Sequence, residues 1–239
     1  MARRDIVVEN KKFSISYDIL NPQNQKTIVF LHGWGANKEV MKVFKDNFKD
    51  FRHIYIDLPG FGRSSNVEVL TTKDYANIID KFLDEIGINK EIIIGHSFGG
   101  KVATLLKPEL LVLLGSAGIV LPKPFKVRAK IRLFKALKKL GLAKFRDFFV
   151  SEDAKGMSEN MYETFKNVVD EDFRGEFSNF KNKALVFGGD KDTAVPSVAV
   201  EEQAKLLNAK KIMLRGDHYF FLDENNRKII EKEVLEAIE

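Results

Sequence analysis

Ile6 to Val8 and Phe13 to Tyr17 alternate apolar with polar positions on either side of Glu9-Asn10-Lys11-Lys12. That alternation predicts a hairpin with one solvated face. Beyond it come short uninterrupted apolar runs at Thr27–Leu31, Ile54–Ile56, Ile92–Ile94, Leu110–Leu114, Ala184–Phe187 and Lys211–Leu214. Runs this rich in Ile, Val and Leu predict strands buried on both faces. Helical spacing fills most of the intervals: Val40, Phe44 and Phe48 after the first run, and Ile78, Ile79, Phe82, Leu83 and Ile86 before the third. Thr71, with Asp74 three residues on, predicts a cap for the second of these helices. Strands alternating with helices imply a mostly parallel sheet covered on both sides, with ligands bound at the carboxyl ends of its strands.

One interval breaks the rhythm. From Ile119 to about Phe180 no strand-like run appears, while Val127, Ile131, Phe134 and Leu137 keep helical spacing. The expected organisation is a core of residues 1–118 and 181–239, interrupted by a helical cap over 119–180. Repeats and Pro- or Ser-rich linkers are absent, so the cap is expected to pack on the core. Its first half is basic: between Ile119 and Phe149 ten Lys and Arg residues face the single acid Asp147. Residues 150–180 hold eight acids against Lys155, Lys166 and Arg174, which could neutralise the basic half from within. The plain reading of such a run is a solvated helix face. The functional ones are an acidic acyl-carrier protein, an anionic acyl substrate, or an anionic membrane surface met by an amphipathic helix. Phe125, Phe134, Phe145, Phe148, Phe149 and Phe165 are expected under the cap, as core rather than as named ligand contacts.

Composition narrows the classes. With 239 residues, 44% of them hydrophobic and 31% charged, the chain is expected to be globular, with a sizeable core. It has no cysteine, which removes disulfides, thiolate metal sites and cysteine nucleophiles together, and suggests a reducing, cytoplasmic setting. Met1-Ala2-Arg3-Arg4-Asp5 leads into an alternating segment rather than an apolar signal core. The longest uncharged run, Leu110 to Pro122, falls short of the roughly 18 apolar residues of a membrane-spanning helix. A net charge of +5 hints at an acidic partner, and no nucleic-acid motif accompanies it.

The chemistry concentrates at Gly95-His96-Ser97-Phe98-Gly99-Gly100, directly after one predicted strand and before a helical stretch. This is G-x-S-x-G in the context it requires: a tight strand-to-helix turn that pushes the Ser97 side chain into the open. The Phe98 N–H at the start of the helix would face a developing oxyanion. The same stretch is nearly a phosphate loop, Gly95 to Gly100 followed by Lys101, but Val102 stands where magnesium-binding Ser or Thr is needed.

A serine hydroxyl needs a base, and the base an orienting acid. Of four histidines, His32 closes a strand, His53 opens one, and His96 adjoins the nucleophile with its side chain expected to point elsewhere. His218, just beyond the last strand, is the best base. The acid is expected in Gly188–Pro196, where Asp190 and Asp192 compete. The order Ser, Asp, His is that of the hydrolase sheet. A second oxyanion donor is expected after the Thr27–Leu31 strand, where His32-Gly33-Trp34-Gly35 lets the Trp34 N–H face the site and its indole wall the acyl pocket. No metal-ligand spacing appears, and the mechanism calls for neither metal nor cofactor.

Four separated motifs in order resemble the α/β-hydrolase superfamily: HGWG at His32–Gly35, DLPGFGRS at Asp57–Ser64, GHSFGG at Gly95–Gly100, and the Asp192 and His218 pair. The resemblance runs from about Thr27 to the C-terminus, cap excepted. It implies the α/β-hydrolase fold, with a mostly parallel eight-stranded sheet, helices on both faces and a helical cap. It also implies Asp192 as the acid, four residues before Pro196, with Asp190 in reserve. Serine at 97 sets the chain apart from haloalkane dehalogenases and epoxide hydrolases, which carry aspartate there. The stretch from Ser97 to Pro108 looks short, implying a truncated helix. Within the superfamily His32–Gly35, Asn37, Glu39-Val40 and Asp57–Ser64 resemble the esterases of pimeloyl-carrier-protein methyl ester, although His96 stands where they usually have Trp. Hydrolases that cut C–C bonds in 2-hydroxy-6-oxo-dienoates share the triad but commonly differ at the oxyanion segment. The implied activity is a serine carboxylesterase acting on a small-molecule ester through an acyl-enzyme. A slow or non-catalytic receptor on the same fold is the reading from another class.

Overall fold

The computed structural model describes residues 2–122 and 157–238. The first hairpin joins β1 (Ala2–Val8) to β2 (Lys11–Leu20), with Glu9 and Asn10 turning at positive φ. Both strands extend beyond the alternating stretches. Arg3 and Arg4 stand exposed on β1, the edge strand of the sheet, so pairing with β2 rather than burial makes them a strand. Charged residues on such an edge also oppose further pairing.

The remaining strands are β3 (Thr27–Leu31), β4 (Arg52–Ile56), β5 (Ile92–His96), β6 (Leu110–Leu114), β7 (Lys183–Gly189) and β8 (Lys210–Leu214). They form the expected eight-stranded sheet in the order β1-β2-β4-β3-β5-β6-β7-β8. The two pairings made by β2 are antiparallel; all others are parallel. After β3 the chain crosses to β4 on one side, and from β4 it returns to β5 on the other. Loops leaving β3 and β5 therefore diverge, opening a crevice at a topological switch point.

Alternate residues of the strands feed two cores. Val29, Leu31, Ile93 and Leu111 join α2 (Thr72–Glu85), α3 (Phe98–Leu106) and α6 (Ser197–Leu206) on one face. Ile28, Phe30, Ile94 and Val112 meet α1 (Lys38–Met41) and α7 (Glu224–Ile238) on the other. Thr71 and Asp74 make the expected capping box, each side chain accepting the other's backbone N–H. The helix predicted over Val40–Phe48 is instead one α-turn followed by a 3-10 turn over Lys42–Asp46. Phe44 and Phe48 are both buried there, so the apolar spacing marks contact with the sheet rather than a regular helix. α3 has nine residues, short as expected, and ends where Lys107 turns left-handed.

The expected cap interval is described only at its ends. Residues 157–180 contribute α4 (Glu159–Val168) and α5 (Arg174–Asn179), whose Phe177 packs in the first core. The basic run and five of the six cap phenylalanines lie outside the described residues.

Candidate active site

β5 delivers Ser97 at φ 51°, ψ −115°, a conformation outside the ordinary regions for a non-glycine residue. Backbone bonds on both sides hold it there: Ser97 N–H donates to the Leu114 carbonyl at 3.1 Å, and the Ser97 carbonyl accepts from Gly100 and Ala117 N–H, both at 3.1 Å. The turn is possible because its flanks lack side chains. A Cβ on Gly95 would lie 2.5 Å from the Gly99 carbonyl oxygen, and one on Gly99 would lie 2.5 Å from that of Leu31. Strand, turn and helix are thus packed backbone on backbone, with no flexible atom available to yield.

Asp192 and His218 come together after β7 and β8. His218 Nδ1 lies 2.8 Å from Asp192 Oδ2, and the other carboxylate oxygen accepts the N–H groups of Ala194 and Val195, each at 2.8 Å. Burial alone would raise the Asp192 carboxyl; His218 and the two N–H groups outweigh it and hold the group below the usual carboxylate range. Ionised Asp192 can only accept, so Nδ1 carries the proton of the neutral ring and Nε2 keeps its lone pair. Asp190 sits elsewhere. It is exposed, and its Oδ1 accepts the Gly216 N–H at 2.8 Å, which shapes the loop that carries His218.

Ser97, His218, Trp34 and Phe98 line one cavity of about 380 Å³. Trp34 follows Gly33 in a turn closed by Ala36 N–H on the Gly33 carbonyl, with Gly35 at φ 74°. Its indole packs edge-on to Phe61 and Phe98 and against Phe165 of α4, forming an aromatic wall. Phe98 opens α3, where first-turn N–H groups have no partner within the helix. A roomier cavity of about 560 Å³ lies at the amino ends of the strands, lined by residues such as Lys26, Glu91, Glu109 and Lys183. It holds no serine, threonine or histidine that could form a nucleophile and base pair.

Two other histidines are structural. His32 donates from Nδ1 to the Gly33 carbonyl and accepts the Leu58 N–H at Nε2, at 2.7 and 3.0 Å. Burial lowers its pKa to about 4, so it stays neutral and joins the HGWG turn to the segment after β4. His53 is likewise buried, bonded to the Phe48 carbonyl and the Tyr55 hydroxyl. Beneath the same turn Lys38, 4% exposed at its side chain, pairs with Asp57 at 2.9 Å and donates to Ser16 Oγ at 3.0 Å.

His96 holds a position different from the one read in the sequence, and Lys101 has a place that the sequence did not indicate. His96 does not point away: its ring lies 4.6 Å from that of His218, centroid to centroid, and lines the same cavity. Lys101 is 1% exposed, with Nζ 2.7 Å from the Val168 carbonyl and 2.8 Å from Glu171, beside the Phe173 ring. It ties the helix after Ser97 to the end of α4 and the turn that follows, a role invisible without residues 67 and more positions away. Burial lowers the Lys101 pKa, with Glu171 opposing. Among the described residues no group of three or more His, Asp or Glu side chains could hold a metal ion, and no helix is long and apolar enough to cross a membrane.

Residues 26–107 match the family model for the alpha/beta hydrolase fold. The 2-succinyl-6-hydroxy-2,4-cyclohexadiene-1-carboxylate synthase of Citrobacter koseri is 33% identical over 93 residues, 39% of this chain and 36% of that protein. The pimeloyl-[acyl-carrier protein] methyl ester esterase of Shewanella woodyi is 38% identical over 77 residues, 32% of this chain and 28% of that protein. The chain therefore spans about a third of the length of these curated relatives. Solved structures match over nearly the whole chain. A thermophilic esterase from Thermogutta terrifontis superposes with a TM-score of 0.71 at 16% identity, covering 100% of this chain and 98% of its own. The enol-lactonase of Burkholderia xenovorans does so with a TM-score of 0.73 at 20% identity, covering 98% and 99%.

Proposed function

We infer that this chain, which has the α/β-hydrolase fold, is a serine hydrolase of carboxylic esters working through an acyl-enzyme. The observation that carries this reading is the 2.8 Å contact between Asp192 and His218 Nδ1, in a cavity that Ser97 also lines. With its proton on Nδ1, the ring of His218 offers Nε2 as the base for the Ser97 hydroxyl. Ser97 attacks the ester carbonyl and its proton passes to His218, which returns it to the leaving alcohol. Asp192 orients the ring and stabilises the imidazolium that forms. The N–H groups of Trp34 and Phe98 receive the oxyanion as backbone donors. Water then repeats the sequence on the acyl-enzyme. The expected site is cytoplasmic and free of cofactor.

A carrier-protein ester is the more specific reading, favoured by the basic run at 123–146 and by the relative from Shewanella woodyi. The cap over 119–180 would then meet the acidic carrier while Trp34 and Phe165 wall the acyl chain. The test is a chain-length series of p-nitrophenyl esters, followed by acyl methyl esters with and without an acyl-carrier protein. Turnover of the p-nitrophenyl series with a burst of nitrophenol is expected, the burst marking the acyl-enzyme. Failure to turn over any of them, with the protein folded, would leave a receptor on a hydrolase fold. Cleavage of a 2-hydroxy-6-oxo-dienoate in preference to esters would move the assignment to C–C hydrolysis.

A further inference from the structure

His96 adjoins Ser97 in the chain and His218 in space without belonging to the proposed triad. It ends β5, is 1% exposed, and its ring is enclosed by those of His218, Tyr219 and Phe221, with centroids 4.6, 5.0 and 4.9 Å away. Its Nε2 lies 3.1 Å from the backbone carbonyl oxygen of His218. A carbonyl can only accept, so Nε2 carries the hydrogen and Nδ1 of the neutral ring is bare. Nδ1 is buried and has no hydrogen-bond partner among the described residues. It faces Gly33, where a Cβ would come within 3.0 Å of both Nδ1 and Ser97 Cβ. An orphaned acceptor in the interior is unfavourable, and a phenylalanine ring would fill the same space without one. What histidine supplies here and phenylalanine cannot is the Nε2–H donor.

That donor makes a direct link between the two halves of the site. Ser97 is fixed by β5 and α3, whereas His218 stands on the loop after β8, 122 positions beyond His96. The side chain next to the nucleophile reaches across and holds the main chain of the base. Burial, with the neighbouring His218 second, lowers the His96 pKa to about 3, so the ring stays neutral at physiological pH.

We propose that His96 is a positioning residue that sets the reach of His218 toward Ser97 by donating its Nε2–H to the His218 carbonyl. The proposal rests on the serine-hydrolase reading. It is tested by comparing kcat and KM for a p-nitrophenyl ester in the wild type, His96→Phe, His96→Gln and Ser97→Ala. Phenylalanine keeps the ring and loses the donor; glutamine places a neutral amide N–H at a similar reach. His96→Phe is expected to lower kcat by about tenfold to a hundredfold, as a displacement of about 1 Å does. KM should stay within about twofold, because the substrate does not depend on this bond for binding. His96→Gln is expected to recover most of the loss. Wild-type kcat in His96→Phe, or equal losses in both variants, would overturn the positioning role. Retained activity in Ser97→Ala would overturn the hydrolase reading itself, so the two failures are distinguishable. Should His96→Phe not fold, ¹⁵N-histidine NMR of the wild type decides: an unprotonated Nδ1 at His96 is expected, and a protonated one would overturn the proposal.

Discussion

Replacing Asp192 by Asn is expected to lower kcat about ten-thousandfold, the loss expected when a triad's orienting carboxylate becomes an amide. Asp190→Asn, two residues away, is expected to change kcat no more than a few-fold. The difference follows from what each carboxylate touches. Asp192 has a side chain wholly out of solvent, one oxygen on His218 Nδ1 and the other on two backbone N–H groups. Asparagine there would turn its amide oxygen toward the two N–H donors and its NH2 toward His218. The ring would then accept at Nδ1 and carry its proton on Nε2, where it cannot take the serine's. Asp190 has only a loop N–H to hold, from exposed surface. Steady-state kinetics of the two variants measure this, and equal losses would remove Asp192 from its proposed role.

The second large effect is on stability. Asp57→Asn is expected to destabilise the fold by about 3 kcal/mol, toward the low end for breaking a buried ion pair because Asp18 still lies 3.9 Å from Lys38. Asp57 accepts Lys38 N–H at 2.8 Å through one oxygen, and through the other Lys38 Nζ at 2.9 Å and Arg63 N–H at 3.1 Å. An amide cannot accept all three, and its own N–H groups would face donors. At roughly 2 to 4 °C per kcal/mol for a domain of this size, the thermal midpoint should fall by about 10 °C. Burial alone would raise the Asp57 carboxyl, but the hydrogen bonds and charge of Lys38 and the Arg63 N–H hold it below the carboxylate range. Its stabilisation is therefore complete above the pKa of an unfolded aspartate, about 3.9, and fades as pH falls through the lower native value. Melting curves should show a gap between wild type and variant that is constant at neutral pH and closes only in acid. A gap under about 1 kcal/mol at pH 7 would mean the pair contributes no more than a surface bridge.

These residues also mark how far the sequence could be read. Ser97 was legible because its turn needs glycine at 95 and 99, where backbones touch, and no other composition satisfies that packing. The Thr71 capping box was legible for a similar reason: its chemistry is complete within four residues. The extent of β1 was not, because Ala2 to Asp5 form a strand through the partner's hydrogen bonds while their side chains stay in solvent. Asp190 and Asp192 could not be separated by residue type, since both lie after one strand and either reaches a loop. Family spacing favoured Asp192, and its two N–H donors and His218 supply the physical basis. Lys38 carried no sign of burial, because its partners come from β2 and from the turn after β4, far along the chain. His96 and Lys101 had the same difficulty: each is set by contacts that only the folded sheet assembles.

The most direct test is covalent labelling with a fluorophosphonate, read as intact mass and mapped to a peptide. One adduct per chain on Ser97 is expected in the wild type, none in Ser97→Ala, and one formed orders of magnitude more slowly in His218→Ala. An adduct forming as fast without the serine, or without the imidazole, would contradict the claim that these side chains act as a unit.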